Sequence, residues 1–161
     1  MTACPGTAVA TTHADCVPII LVDPIHRVVA AAHAGWRGTL HGIVSEALLV
    51  MEEKFNTEPR LLLTAIGPAI GGCCYKVSAE LYEEFQTRYH WLDLTRTEQG
   101  QEGYPTLNLP ELNKELLVQH GALPERIDVS ALCTSCHPRD FFSYRRDQGR
   151  TGRHLSLVLL K

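Results

Sequence analysis

Cys16 and His33 stand 17 positions apart, each at the end of an apolar run: Ala14-Asp15-Cys16-Val17-Pro18 and His33-Ala34-Gly35-Trp36-Arg37-Gly38. A thiol and an imidazole closing two successive strand-like segments can meet at one edge of a sheet. There they can share a metal ion or a catalytic hydrogen bond. No other stretch combines soft ligands, a glycine turn and an arginine so compactly. Two protein ligands rarely hold a catalytic zinc, so the pair reads as an incomplete site. A second set of soft ligands is Cys133-Thr-Ser-Cys136 with His137 directly behind it. A structural zinc site needs another such pair, and adjacent Cys73-Cys74 is a poor chelating geometry, read as packing. A c-type haem on C-x-x-C-H would require a secreted protein.

The composition bounds what these residues can serve. A chain of 161 residues, 45% apolar and 20% charged, suits one globular domain with its own core. The net charge of −3 offers no basic excess for nucleic acid or an anionic membrane. Apolar runs fall short of the ~20 residues that span a bilayer. The N-terminus lacks the pattern of a signal peptide, so the expected compartment is cytoplasmic. The six cysteines are then expected as reduced thiols, free to act as ligands or nucleophiles.

The elements that must position the pair follow from periodicity. Thr7 to Thr12, Val17 to Val22 and Val28 to His33 read as strands, the last apolar on both faces and therefore buried. Asp23-Pro24 marks a turn between the second and third. Leu40, Ile43, Ala47, Leu48 and Met51 recur at helical spacing and predict one helix over 39–55. Leu61 to Ile66 reads as a buried strand running into the irregular Gly67-Pro68-Ala69-Ile70-Gly71-Gly72, with a short strand expected from Cys73 to Val77. Ser78 caps a helix reaching Tyr89, residues 90–106 read as an exposed loop, and a helix over 110–120 starts on proline and stops at Gly121. Strands over 127–132 and 155–160 close the chain. The expected class is mixed α/β, a layered mixed sheet packed with helices.

Three segments together resemble the YfiH-like, or laccase-domain, family of purine nucleoside phosphorylases. They are Ala14-Asp15-Cys16-Val17-Pro18 with Ala32 to Gly38, Ala65-Ile66-Gly67-Pro68 through Cys73-Cys74-Tyr75, and Cys133-Thr134 through Phe141-Phe142-Ser143-Tyr144-Arg145-Arg146-Asp147 to Thr151-Gly152-Arg153. The resemblance implies a YfiH-like α/β fold and a zinc site made of one cysteine and two histidines, of which Cys16 and His33 are the matching ligands. It implies phosphorolysis of adenosine, inosine, guanosine and methylthioadenosine, with adenosine deaminase activity at the same site. The family's third ligand lies in a Q-V-H-G segment that this sequence does not contain. Relative to the family the chain therefore reads as one N-terminally truncated domain over 1–161. His13 stands where the family has threonine, but it lies three residues from Cys16 on the same expected strand, so the two side chains should point oppositely.

A thiolate and two neutral imidazoles leave one tetrahedral position of zinc open for water, which the metal acidifies. Phosphorolysis also needs cations for orthophosphate, and Arg37, Arg145, Arg146 and Arg153 are the candidates, Arg37 being best placed after the glycine turn. Asp15 and Asp147 are candidate acid/base or purine-contacting groups, so Asp15, Arg145, Arg146 and Asp147 form the expected substrate set, with Cys16, His33 and Arg37 catalytic. The expected partners are a purine nucleoside and phosphate, with neither nucleic acid nor membrane. Three other readings compete: a metal-free Cys-His hydrolase or deamidase, a copper phenol oxidase, and an inactive truncated homologue. The copper reading lacks the H-x-H pairs of a multicopper cluster, since none of the eight histidines forms one.

Overall fold

Two apolar runs on either side of the Asp23-Pro24 turn produce the hairpin at the centre of the molecule. The computed structural model describes residues 1–92 and 103–161. Strands β2 (Val17–Asp23) and β3 (Val28–Ala34) pair antiparallel in a register that sets Val17 opposite Ala34 and Pro18 opposite His33. Strand β4 (Leu63–Ile66) pairs antiparallel with β2, and β5 (Ile127–Val129) joins β4 in parallel, giving the order β3-β2-β4-β5. A separate antiparallel ribbon joins β1 (Ala8–His13) to β6 (His154–Leu159).

Strand periodicity divides the hairpin into two faces. Val17, Ile19 and Leu21 of β2, with Ala30, Ala32 and Ala34 of β3, share one buried core with Val44, Leu48 and Met51. Those last three lie on α2 (Ile43–Phe55), and the short alanines facing them let the helix lie close to the sheet. The other face carries Pro18 and His33, and β1 packs against β3 there. Helices α3 (Ala79–Arg88) and α4 (Leu109–Gln119) complete the helical layer, contributing Phe85 and Leu116–Leu117 to the core. The architecture is mixed α/β, as the alternation of periodicities predicts.

Several boundaries differ from the sequence expectation, each for a local reason. The single helix expected over 39–55 is two: α1 (Trp36–Leu40) and α2, separated at Gly42, whose φ of 72° is left-handed and ends helical propagation. The expected strand over 73–77 opens as a turn, with Cys74 and Tyr75 both donating their backbone N–H to Gly71 O, and its end pairs as extended backbone through the Lys76–Thr106 bridge. Strand β5 stops at Val129, where its partner gives way to Gly67-Pro68 and the proline removes a ladder donor. Ser78 caps α3 by accepting from Leu81 N, and Asn108 caps α4 by accepting from Glu111 N. Of the loop expected over 90–106, residues 93–102 lie outside the described residues.

Asp23 closes the β2–β3 turn. Its Oδ1 accepts the backbone N–H of Ile25 and His26, and Oδ2 accepts Thr57 Oγ1 at 2.6 Å and faces His26 Nδ1 at 2.9 Å. Burial raises its pKa, but these hydrogen bonds more than offset that, so the carboxyl sits below its ordinary range.

Candidate functional site

Because Val17 pairs with Ala34, Cys16 and Gly35 lie together at one end of the hairpin. The chain reaches that point by a sharp change of direction: β1 ends at His13, Asp15 adopts a φ of 77°, and β2 begins at Val17. His13 and Cys16 thus do not share a strand, which corrects the alternation argument made from sequence. A Cβ built on Gly35 would lie 3.0 Å from Cys16 Sγ and 3.8 Å from His33 Nε2. Thiol and imidazole converge on one point, and glycine leaves it open. His33 Nδ1 lies 3.0 Å from Thr12 O. A carbonyl only accepts, so Nδ1 carries the proton and Nε2 presents its lone pair toward Gly35. A backbone acceptor on one ring nitrogen that frees the other is the outer support of a metal-ligating histidine.

His13 is buried, with Nε2 at 2.9 Å from Ser156 Oγ and Nδ1 lacking a partner. Burial, then the neighbouring His154 and His33, push its pKa down to about 4. It does not complete a three-donor group with Cys16 and His33; among the described residues the one such group is elsewhere. His154, which carries no spacing signal in the sequence, faces His13 across the β1–β6 ribbon with ring centroids 5.4 Å apart, and its Nε2 accepts Phe142 N.

Asp15 organises the surroundings. Its Oδ1 accepts Thr134 Oγ1 at 2.6 Å, while Oδ2 accepts Ser143 Oγ at 3.0 Å and Arg145 N at 2.7 Å. The carboxylate is buried and engaged on both oxygens, tying the turn that carries Cys16 to the loop over 133–146. Arg146 and Asp147 close on each other through Nε–Oδ1 at 2.8 Å and Nη2–Oδ2 at 2.9 Å. Arg146 further donates to Thr134 O and Phe141 O, so its fork is occupied within the loop. Both residues, named from sequence as substrate contacts, spend their polar groups holding that loop.

The other arginines are better placed. Arg37 is exposed on α1, with its guanidinium 4.0 Å above the Trp36 ring. Arg145 donates to Lys76 O and stacks 4.9 Å from the Tyr75 ring. Arg153 donates to Thr151 O and Gly152 O, and its charge is felt at Cys16. Burial and the Asp15 carboxylate push the Cys16 thiol up, and Arg153 opposes them. Tyr75 is the functional candidate that sequence reasoning missed. Its phenol is buried and its pKa is raised by burial, in the field of Arg145, Cys16, Arg37 and Asp15. An aromatic following the glycine and cysteine run was the one available signal, and it has no diagnostic spacing.

The cysteine reading needs correction. Cys73, Cys74, Cys133 and Cys136 bring their sulfurs within 4.8 Å of one another, so the adjacent pair is not mere packing. Cys136 Sγ lies 3.4 Å from Cys74 Sγ and 3.6 Å from Cys73 Sγ.

The whole chain, residues 1–161, matches the family described as multi-copper polyphenol oxidoreductase laccase. The chain belongs to that family. It is 39% identical over 152 residues to purine nucleoside phosphorylase YlmD of Bacillus subtilis, covering 94% of this chain and 54% of that protein. It is 32% identical to purine nucleoside phosphorylase LACC1 of Homo sapiens, covering 97% of this chain and 36% of that protein. Among solved structures, YlmD from Geobacillus stearothermophilus superposes with a TM-score of 0.88 at 37% identity, covering 99% of this chain and 59% of that one. YfiH from Bacillus licheniformis gives 0.87 at 39%, covering 99% and 60%. The chain spans about half the length of the bacterial relatives it matches. No described helix is long and apolar enough to cross a membrane.

Proposed function

We propose that this chain carries the principal half of a zinc-dependent purine nucleoside phosphorylase site, with adenosine deamination at the same place and the cytoplasm as its compartment. The carrying observation is the convergence of Cys16 Sγ and His33 Nε2 over Gly35, with His33 Nδ1 committed to Thr12 O. The names of the relatives support the reaction, and a soft thiolate with a neutral imidazole, converging over Gly35, is a donor pair that suits zinc. When bound, zinc supplies Lewis acidity and an acidified water.

This chain's own residues do the rest. In phosphorolysis an oxygen of orthophosphate bonds to C1′ of the ribose as the C1′–N9 bond breaks, and the base leaves with a proton. The dianion must be drawn in and held, and of the four arginines named from sequence Arg37, Arg145 and Arg153 are the exposed ones. The Tyr75 hydroxyl, whose ring stacks 4.9 Å from the Arg145 guanidinium, can donate to the same anion or to a ribose oxygen. Asp15, Arg146 and Asp147 act as positioning residues, holding the loop over 133–146 against the Cys16 turn.

Two competing readings are weaker on specific observations. A metal-free Cys-His hydrolase needs a thiol whose ionisation is favoured, and burial with Asp15 pushes Cys16 the opposite way. A copper phenol oxidase needs clustered histidines, and the one group of three or more metal donors among the described residues is made of four thiols.

The protein, incubated with inosine and orthophosphate, is expected to release hypoxanthine and ribose 1-phosphate. Omitting phosphate should stop release, chelation should abolish it, and zinc should restore it. Release that persists after chelation would favour the Cys-His hydrolase, and none in the zinc-loaded protein would exclude phosphorolysis by this chain.

A further inference from the structure

Four thiols meet on the side of the molecule where the glycine-rich loop over 67–75 lies against the loop over 133–146. The first contributes Cys73 and Cys74 from one tight turn, in which Cys74 N and Tyr75 N both donate to Gly71 O. The second contributes Cys133 and Cys136 from another, closed by Cys136 N donating to Cys133 O at 3.2 Å. A bridge between Ala69 and Cys133, with Thr134 N donating to Ala69 O, holds the two turns side by side. All four sulfurs lie within 4.8 Å of one another.

We propose that Cys73, Cys74, Cys133 and Cys136 form a tetrathiolate site for one zinc ion, separate from the Cys16–His33 site and structural in role. Zinc–sulfur bonds of about 2.3 Å in a regular tetrahedron set the sulfurs about 3.8 Å apart. The Cys136 contacts of 3.4 and 3.6 Å to Cys74 and Cys73 lie close to that edge. Gly71 N–H points at Cys133 Sγ at 3.3 Å, the donor a metal-bound thiolate accepts. The surroundings favour zinc over a harder ion, since no carboxylate or imidazole among the described residues joins the group. Cys133 is buried while Cys73 and Cys136 are exposed, so the ion has an inner anchor and an entry side.

Binding replaces the thiol protons, which pass to solvent, and leaves four sulfur ligands with no open coordination position. The site therefore holds rather than reacts. What it holds is the pairing of the two loops that also carry Tyr75 and the Asp15 partners Thr134, Ser143 and Arg145. The inference does not depend on the nucleoside reaction.

The test uses the reduced protein in a Cys16→Ala/His33→Ala background, which removes the other candidate ligands. Elemental analysis should find one zinc per chain. Replacement by cobalt(II) should give the intense sulfur-to-metal charge-transfer absorption and the tetrahedral ligand-field bands of a tetrathiolate. Adding Cys136→Ser, or Cys73→Ser, both exposed and outside the core, should weaken or reshape that spectrum, and bound metal should protect the four thiols from a disulfide reagent. Iron in place of zinc would overturn the zinc assignment. No metal on the fully reduced protein, or an intact mass lower by the hydrogens of a disulfide that persists under reductant, would overturn the site.

Discussion

The two sulfur-bearing regions differ in donor number, second-row support and freedom. At the Cys16–His33 region one thiol and one imidazole face an open point above Gly35, and cations and a buried phenol stand around it. In the four-cysteine region every donor is a thiol, and the donors crowd one another. A metal with free coordination positions can act on a substrate, whereas one enclosed by four thiolates can only fix the chain. The regions are also joined: Asp15 precedes Cys16 and grips Thr134, which follows Cys133. One carboxylate thereby connects the place where chemistry is proposed to the place where the fold is clamped.

That connection is the first thing to break. Asp15→Asn keeps the size but removes the charge and forces an amide N–H₂ toward donors that now lack an acceptor. The expected cost is about 1–3 kcal/mol, or a fall in Tm of several degrees at about 2–4 °C per kcal/mol. Metal retention should fall at both regions; calorimetry with metal analysis checks it, and an effect confined to one region would show them to be independent.

Gly35→Ala separates them. A methyl 3.0 Å from Cys16 Sγ crowds the point on which the donors converge, so zinc affinity there should drop on the order of tenfold. Competition with a chromogenic chelator checks this, and cobalt bound to the four thiols should be unchanged. Acid adds a control. Asp23 has a depressed pKa when folded, so its stabilisation is complete above the ordinary 3.8 and is lost as pH falls through the lower folded value. Asp23→Asn should therefore lower stability at neutral pH and flatten the acid limb below about pH 4 in unfolding curves, without altering either metal stoichiometry. The smallest effect is expected from Gly71→Ala, whose Cβ would meet Cys73 Sγ at 3.4 Å and Cys133 Cβ at 3.5 Å, ordinary contact. The cobalt spectrum should barely move.

Much of this was legible in the sequence. The apolar runs announced β2 and β3, and a hairpin between them brings Cys16 and His33 together whatever else the chain does. Ser78 and Pro110 marked helix starts within a residue or two. What was not legible depends on contacts distant in sequence. The C-x-x-C of Cys133 and Cys136 was visible, but its partners lie some sixty residues earlier, and only the Ala69–Cys133 bridge makes them neighbours. Asp15 and Arg146 were expected as substrate groups because a carboxylate and a guanidinium in the matched segments could meet a purine or phosphate. Their carboxylate and guanidinium are satisfied inside the protein, which composition cannot reveal. The break at Gly42 was hidden because the apolar spacing continues through a glycine that a left-handed turn requires.

One assay separates chemistry at Cys16–His33 from a purely structural part for the four thiols. Phosphate-dependent release of hypoxanthine from inosine should be compared for the protein, His33→Ala and Cys136→Ser, below the melting temperature of each. His33→Ala should lose at least about 100-fold in kcat/KM, as removal of a metal ligand requires. Cys136→Ser should keep activity within a few-fold while melting at a lower temperature. Equal losses in both variants, or full activity in His33→Ala, would contradict that division of roles.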